Sequence, residues 1–126
     1  ISLADLRGQP KWEEVAKKVH KLLAFSDIAV AHNGLGFDMP FIAMELIRIG
    51  MKVPSIKVFD TMLEGRQCTA FGKVPNLGEL CWANGVDYDP ESAHSAAYDV
   101  EVMEQSYWNG IENGLFKAPG DFLATL

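Results

Sequence analysis

Apolar positions cluster into six groups along the chain, and their spacing predicts six elements. From Pro10 to Phe25, Trp12, Val15, Ala16, Val19, Leu22 and Leu23 recur at helical intervals, with Pro10 suited to the first turn. Lys11, Lys17, Lys18 and Lys21 fall mostly off that stripe and read as its solvated face. Ile28 to Ala31 is a short apolar run of the kind buried in parallel sheets. A polar, glycine-bearing loop follows, His32-Asn33-Gly34-Leu35-Gly36-Phe37. The next helix is predicted from Met39 to Ile49, capped by Asp38, with Pro40 in its first turn and Gly50 as its stop. Ile56 to Phe59 forms a second strand that ends at Asp60. Pro75 to Ala83 reads as a short helix turning Leu77, Leu80 and Cys81 inward, closed by Asn84-Gly85. The last long helix is predicted from Ser95 to Trp108, with Ala96, Ala97, Val100, Met103, Glu104, Tyr107 and Ile111 along its inner side. The tail from Asn113 to Leu126 is interrupted by Pro119-Gly120 and carries no clear pattern.

Helix, strand, helix, strand, helix, helix is the alternation of an α/β fold with parallel pairing. Two strands this short cannot cover their own edges, so further strands are expected upstream of Ile1 or from another chain. Residues 1–126 therefore read as one domain, N-terminally incomplete, and Ile1 is not an initiator Met. Apolar residues make up 48% of the sequence, enough for a core and against disorder. No apolar run approaches the roughly 20 residues that cross a bilayer, so no membrane partner is expected. The first residues lack the basic start and apolar stretch of a signal peptide. Cys68 and Cys81 form no CxxC pair, which argues against structural zinc and fits a reducing, cytoplasmic setting. The net charge of −6 argues against sequence-blind binding to long duplex. It leaves room for an enzyme that grips a strand end through metal ions.

Two local patterns carry chemistry. The first is His32-Asn33-x-x-x-Phe37-Asp38 between a strand and a helix. It sets a carboxylate at the C-terminal end of a strand, where α/β ligand sites form. Capping is the ordinary job for an Asp at position 38, and loop shaping for Asn33. His32 also suits a satisfied, half-buried place at a strand end. The second pattern is His94-x-x-x-x-Asp99 at the start of the last helix. Asp99 lies at the margin of the apolar stripe, where a carboxylate needs donors or a cation to compensate burial. Hard divalent cations provide that compensation. An imidazole at position 94 suits general-base work.

Taken together, these patterns resemble the second and third motifs of the DnaQ-like, or DEDDh, exonuclease family. Val30-Ala31-His32-Asn33-Gly34-Leu35-Gly36-Phe37-Asp38-Met39-Pro40-Phe41 is similar to its "AHN…FD…F" signature. His94-Ser95-Ala96-Ala97-Tyr98-Asp99 is similar to its H-x4-D. Val58-Phe59-Asp60-Thr61 resembles the family's strand-end D-T, and Asn76 to Cys81 its short helix before the third motif. The resemblance runs from about Pro10 to Trp108. It is nearest to three-prime repair exonucleases and the proofreading epsilon subunit of bacterial DNA polymerase III.

The resemblance implies a ribonuclease H-like mixed sheet flanked by helices. It implies two-metal hydrolysis by Mg²⁺ or Mn²⁺, releasing 5′-mononucleotides from the 3′ end of DNA, with RNA open as an alternative. Asp99 and Asp38 would be the metal ligands, His94 the general base, and Asn33, Phe37 and His32 the substrate contacts. An aromatic such as Phe37 also serves as core filling, the commoner role. The implied partners are a single-stranded 3′ end and, for a proofreading or repair enzyme, a DNA polymerase. The family's first motif, Asp-x-Glu on an opening strand, is absent from residues 1–126. The 126 residues alone are therefore expected to be inactive, and the alternative is an exonuclease-like module that binds nucleic acid or a partner without cutting.

Overall fold

The computed structural model describes all of the chain, Ile1–Leu126. Its elements in order are α1 (Leu3–Leu6), α2 (Trp12–Phe25), β1 (Ile28–Ala31), a π-helical turn (Gly34–Asp38), α3 (Met39–Arg48), β2 (Lys57–Asp60), 3-10 turns (Leu63–Cys68 and Ala70–Gly72), α4 (Leu77–Ala83), α5 (Ala96–Glu112) and α6 (Pro119–Ala124). All six expected elements form. The short α1 and the tail helix α6 carry no sequence signal strong enough to foresee, and α5 runs a turn further than its apolar spacing indicated.

Local chemistry accounts for most of the boundaries. Glu14 accepts the Lys11 N–H at 2.6 Å, satisfying a donor at the start of α2. Asn76 and Glu79 bond each other's backbone N–H at 2.8 and 3.1 Å, a capping box at the head of α4. Gly50 (φ +77) and Gly85 (φ +69) take the left-handed conformation that ends α3 and α4, as their positions predicted. Asp38, in contrast, makes no capping bond and has helical backbone angles. The π-turn runs directly into α3, so α3 has no exposed N-terminus there to cap, and the capping role is overturned.

β1 and β2 pair in parallel, with Ile28 opposite Lys57 and Ala31 opposite Asp60. The sheet has these two strands only, so each keeps an outer edge. Phe59 is 1% exposed and centres the core, with Tyr107, Phe116 and Phe122 packed edge-on at 5.1, 5.2 and 4.9 Å. Two of these rings come from the tail, which docks where Gly110 has no side chain: a Cβ there would stand 2.3 Å from Phe116 Cδ2. Val102, Met103, Ser106, Tyr107 and Gly110 are the buried positions of α5.

That arc corrects the predicted inner side of α5: Ala96, Ala97 and Val100 are exposed, and so is Glu104. α5 turns instead toward α4, where Ser106 is buried because its hydroxyl donates to Val102 O at 2.7 Å. Val100 instead faces a cleft beside Val30 of β1. Along α3 and the turn before it, Phe37, Phe41, Met44 and Ile47 form an exposed apolar stripe at helical spacing. Leu22 and Phe25, at the end of α2, are exposed as well.

Candidate active site

Parallel pairing brings the C-terminal ends of β1 and β2 together, and both strands end in polar residues. Asp60 is buried, and all its hydrogen bonds come from backbone N–H groups. Its Oδ1 accepts from Asn33 at 2.9 Å and Met62 at 3.0 Å, and its Oδ2 accepts from Leu35 at 3.1 Å. Thr61, also buried, donates its backbone N–H to Ala31 O at 2.8 Å. The loops after both strands are thus tied into one floor.

His32 belongs to that floor. Its Nε2 lies 3.1 Å from Pro75 O, which can only accept, so Nε2 carries the proton. In the neutral ring Nδ1 then accepts from the Thr61 hydroxyl at 2.9 Å. Burial holds the His32 pKa below its ordinary value, against the opposing pull of the Pro75 bond and the Asp60 charge. Both ring nitrogens are engaged inside the chain, so contact with a substrate is left to the ring's carbon edge.

Asn33 adopts φ +60 and starts the π-turn, with Phe37 N–H donating to Asn33 O at 3.0 Å. Gly34 is buried because a Cβ would meet Ala31 Cβ at 2.5 Å, and the Asp38 carboxylate stands 3.9 Å from that same point. Asp38 is exposed as a residue, yet its carboxyl leans on this floor. Partial burial, and then the negative charge of Asp60, raise its pKa above the ordinary carboxylate value.

Asp99 comes from the first turn of α5 and is half-buried. Its Oδ1 accepts the His94 backbone N–H at 3.3 Å, while His94 itself is exposed at φ +73. A cleft of about 500 Å³ is lined by His32, Asp38 and Asp99 together with Val30, Ala31 and Leu77. Asp38 and Asp99, which stand on different helices, therefore border one cavity. Asn33, Phe37 and His94 are not among its walls. Phe37 is 62% exposed and stacks on Phe41 at 6.0 Å, so it fills no core here.

The sequence marked Asp60 and Thr61 as a strand end resembling the family's D-T, without a role in the site; the signal available was a polar pair closing an apolar strand. Two carboxylates lining one cavity are the hard oxygen donors that Mg²⁺ or Mn²⁺ takes. No group of three or more His, Cys, Asp or Glu side chains stands close enough to hold a metal ion. The chain's own residues thus fit part of a metal site. No helix is long and apolar enough to cross a membrane.

Comparison with known proteins places the chain in a family. The family model RNase_T, described as "Exonuclease", matches residues 1–105, so the likeness includes the first nine residues and stops short of the end of α5. DNA polymerase III PolC-type of Ureaplasma parvum serovar 3 is 38% identical over 89 residues, covering 71% of this chain and 6% of that protein. PolC-type polymerase of Halalkalibacterium halodurans is 31% identical over 108 residues, 86% of this chain and 7% of that protein. Ribonuclease T of Vibrio campbellii is 32% identical over 116 residues, 82% of this chain and 52% of that protein. The chain thus spans a small fraction of the polymerases and about half of the ribonuclease. No solved structure gives a significant match.

Proposed function

Because the chain belongs to the exonuclease family whose model covers residues 1–105, we propose that it is the core of a divalent-metal-dependent 3′→5′ exonuclease of the DEDDh type. The observation that carries this reading is the shared cleft of Asp38 and Asp99. Those two carboxylates would hold Mg²⁺ or Mn²⁺, Asp99 directly and Asp38 as ligand of the second ion. Two such ions, when bound, neutralise charge on the attacking and leaving oxygens of a phosphodiester. His94 takes the proton of the attacking water, from a loop that Asp99 already holds by its backbone. Asn33 and Phe37, on the turn that carries Asp38, position the strand, and His32 holds the floor beneath it.

The remaining metal ligands are assigned to an Asp-x-Glu strand laid along the outer edge of β1. Val30 lines both the cleft of Asp38 and Asp99 and a second, mostly apolar cleft, with Val100 and Trp108 exposed beside it. An unpaired edge flanked by bare apolar surface suits a further strand. The second reading, a module that binds a strand or partner without cutting, is favoured by the presence of only two carboxylates in the cleft. Likeness to proteins named DNA polymerase III supports DNA as substrate and a polymerase as partner. Likeness to ribonuclease T supports RNA.

The test uses the full-length native protein with labelled single-stranded DNA and matched RNA, in Mg²⁺ and in chelator. Stepwise shortening from the 3′ end is expected, abolished by chelator and by Asp99→Ala. A full-length protein that leaves both strands intact supports the binding module, and digestion indifferent to Asp99→Ala sinks the assignment.

A further inference from the structure

Asp60 is the one buried acid in the chain, and no step above uses it. It has no Lys or Arg partner; the ion pairs lie elsewhere, at Arg48 and Lys73. Burial of an ionised carboxylate is costly unless donors surround it. Here Oδ1 accepts from Asn33, Met62 and, at 3.4 Å, Leu63, while Oδ2 accepts from Leu35. An amide side chain cannot replace it, because its NH₂ would face a backbone N–H; a carboxylate offers two acceptors and no donor.

We infer that Asp60 is a positioning residue for the site: it clamps the turn from Asn33 to Asp38 onto the end of β2 and so fixes where the Asp38 carboxylate stands relative to Asp99. The turn needs such a clamp. Asn33 sits in the left-handed region, which Asn tolerates better than most residues but less readily than Gly. Its own N–H and the N–H of Leu35, two residues on, are the ones Asp60 holds. The turn then closes on itself through Met39 N–H to Gly34 O, with Asp38 as its last residue. Gly34 presses against Ala31 with no room for a side chain. Rotation of the Asn33–Leu35 segment would therefore carry the Asp38 carboxylate with it.

The inference rests on the nuclease reading, and the experiment separates the two. The full-length native protein, ¹⁵N-labelled, is titrated with Mn²⁺ and the paramagnetic broadening of its amide signals is followed. In wild type, broadening is expected around Gly34–Asp38 and Ala96–Asp99, and Asp99→Ala should abolish it. Asp60→Asn, with its spectrum otherwise native, should need about tenfold more Mn²⁺ for the same broadening, the usual loss when the support of a metal ligand is removed. If Asp60→Asn does not fold, Leu35→Pro decides. In the first turn that N–H has no helical partner, so in a variant that keeps its fold proline removes the bond to Asp60 and no helical hydrogen bond. Wild type without broadening at these segments, or broadening that survives Asp99→Ala, overturns the nuclease reading and this inference with it. Normal wild-type and Asp99→Ala behaviour, with Mn²⁺ binding undiminished in the folded variant, overturns the positioning role alone.

Discussion

Gly110→Ala is a small change that the structure makes expensive. A Cβ at position 110 would stand 2.3 Å from Phe116 Cδ2, 2.6 Å from Cε2 and 3.1 Å from Asn84 Oδ1. Carbon atoms prefer about 3.5–4.0 Å, so the Phe116 ring must retreat by more than about 1 Å. It has little freedom to do so, being 5% exposed and packed on Phe59 at 5.2 Å and Tyr107 at 6.3 Å. Overpacking of this kind costs roughly 1–3 kcal/mol. A weakened edge-to-face pair adds about 0.5–1.5 kcal/mol. Against this, Ala is better than Gly inside a helix by about 0.5–1 kcal/mol. The net expectation is a loss of roughly 1–3 kcal/mol, which lowers Tm by roughly 5–10 °C in a chain of this size. Urea unfolding should show a lower midpoint at unchanged slope. In a Phe116→Ala background the same substitution should become neutral or stabilising by about 0.5–1 kcal/mol. A Gly110→Ala protein as stable as wild type, or one whose loss persists without the Phe116 ring, would refute the docking of the tail. The result bears on the site as well, because Phe59, which these rings hold, immediately precedes Asp60.

Two further outcomes follow from titration. The raised pKa of Asp38 means that ionising it costs more in the folded chain than in the unfolded one, so stability falls as pH rises through the carboxylate range and stays lowered at neutrality. Asp38→Asn in chelator should therefore melt higher than wild type at neutral pH and converge with it below the ordinary Asp value of about 3.9; equal melting at neutral pH sinks this. The depressed pKa of His32 has the same origin with the opposite consequence: the unfolded chain takes the proton first, so stability drops as pH falls through about 6.5 toward the lower folded value. His32→Gln should flatten that limb of the curve of Tm against pH, and an unchanged limb would mean that the ring is not buried neutral.

What the sequence determined was local. Ile28–Ala31 could be read as a strand because an apolar run bounded by turn residues has few other conformations, and Gly50 and Gly85 could be read as stops because the left-handed region favours glycine. The candidate acids Asp38 and Asp99 were legible from their place at a strand end and a helix start, and their spacing suggested the family. That they border one cleft was decided only by the packing that sets α5 beside β1. The buried arc of α5 also lay beyond periodicity, since which flank of a helix is covered depends on its neighbours: α4 covers Ser106, and nothing covers Val100. Asp60 was visible as a residue but not as a clamp, because its four backbone donors come from two loops that meet only when the strands pair. The tail had no pattern of its own, and Phe116 and Phe122 became core because Phe59 and Gly110 offered a surface that no local signal describes.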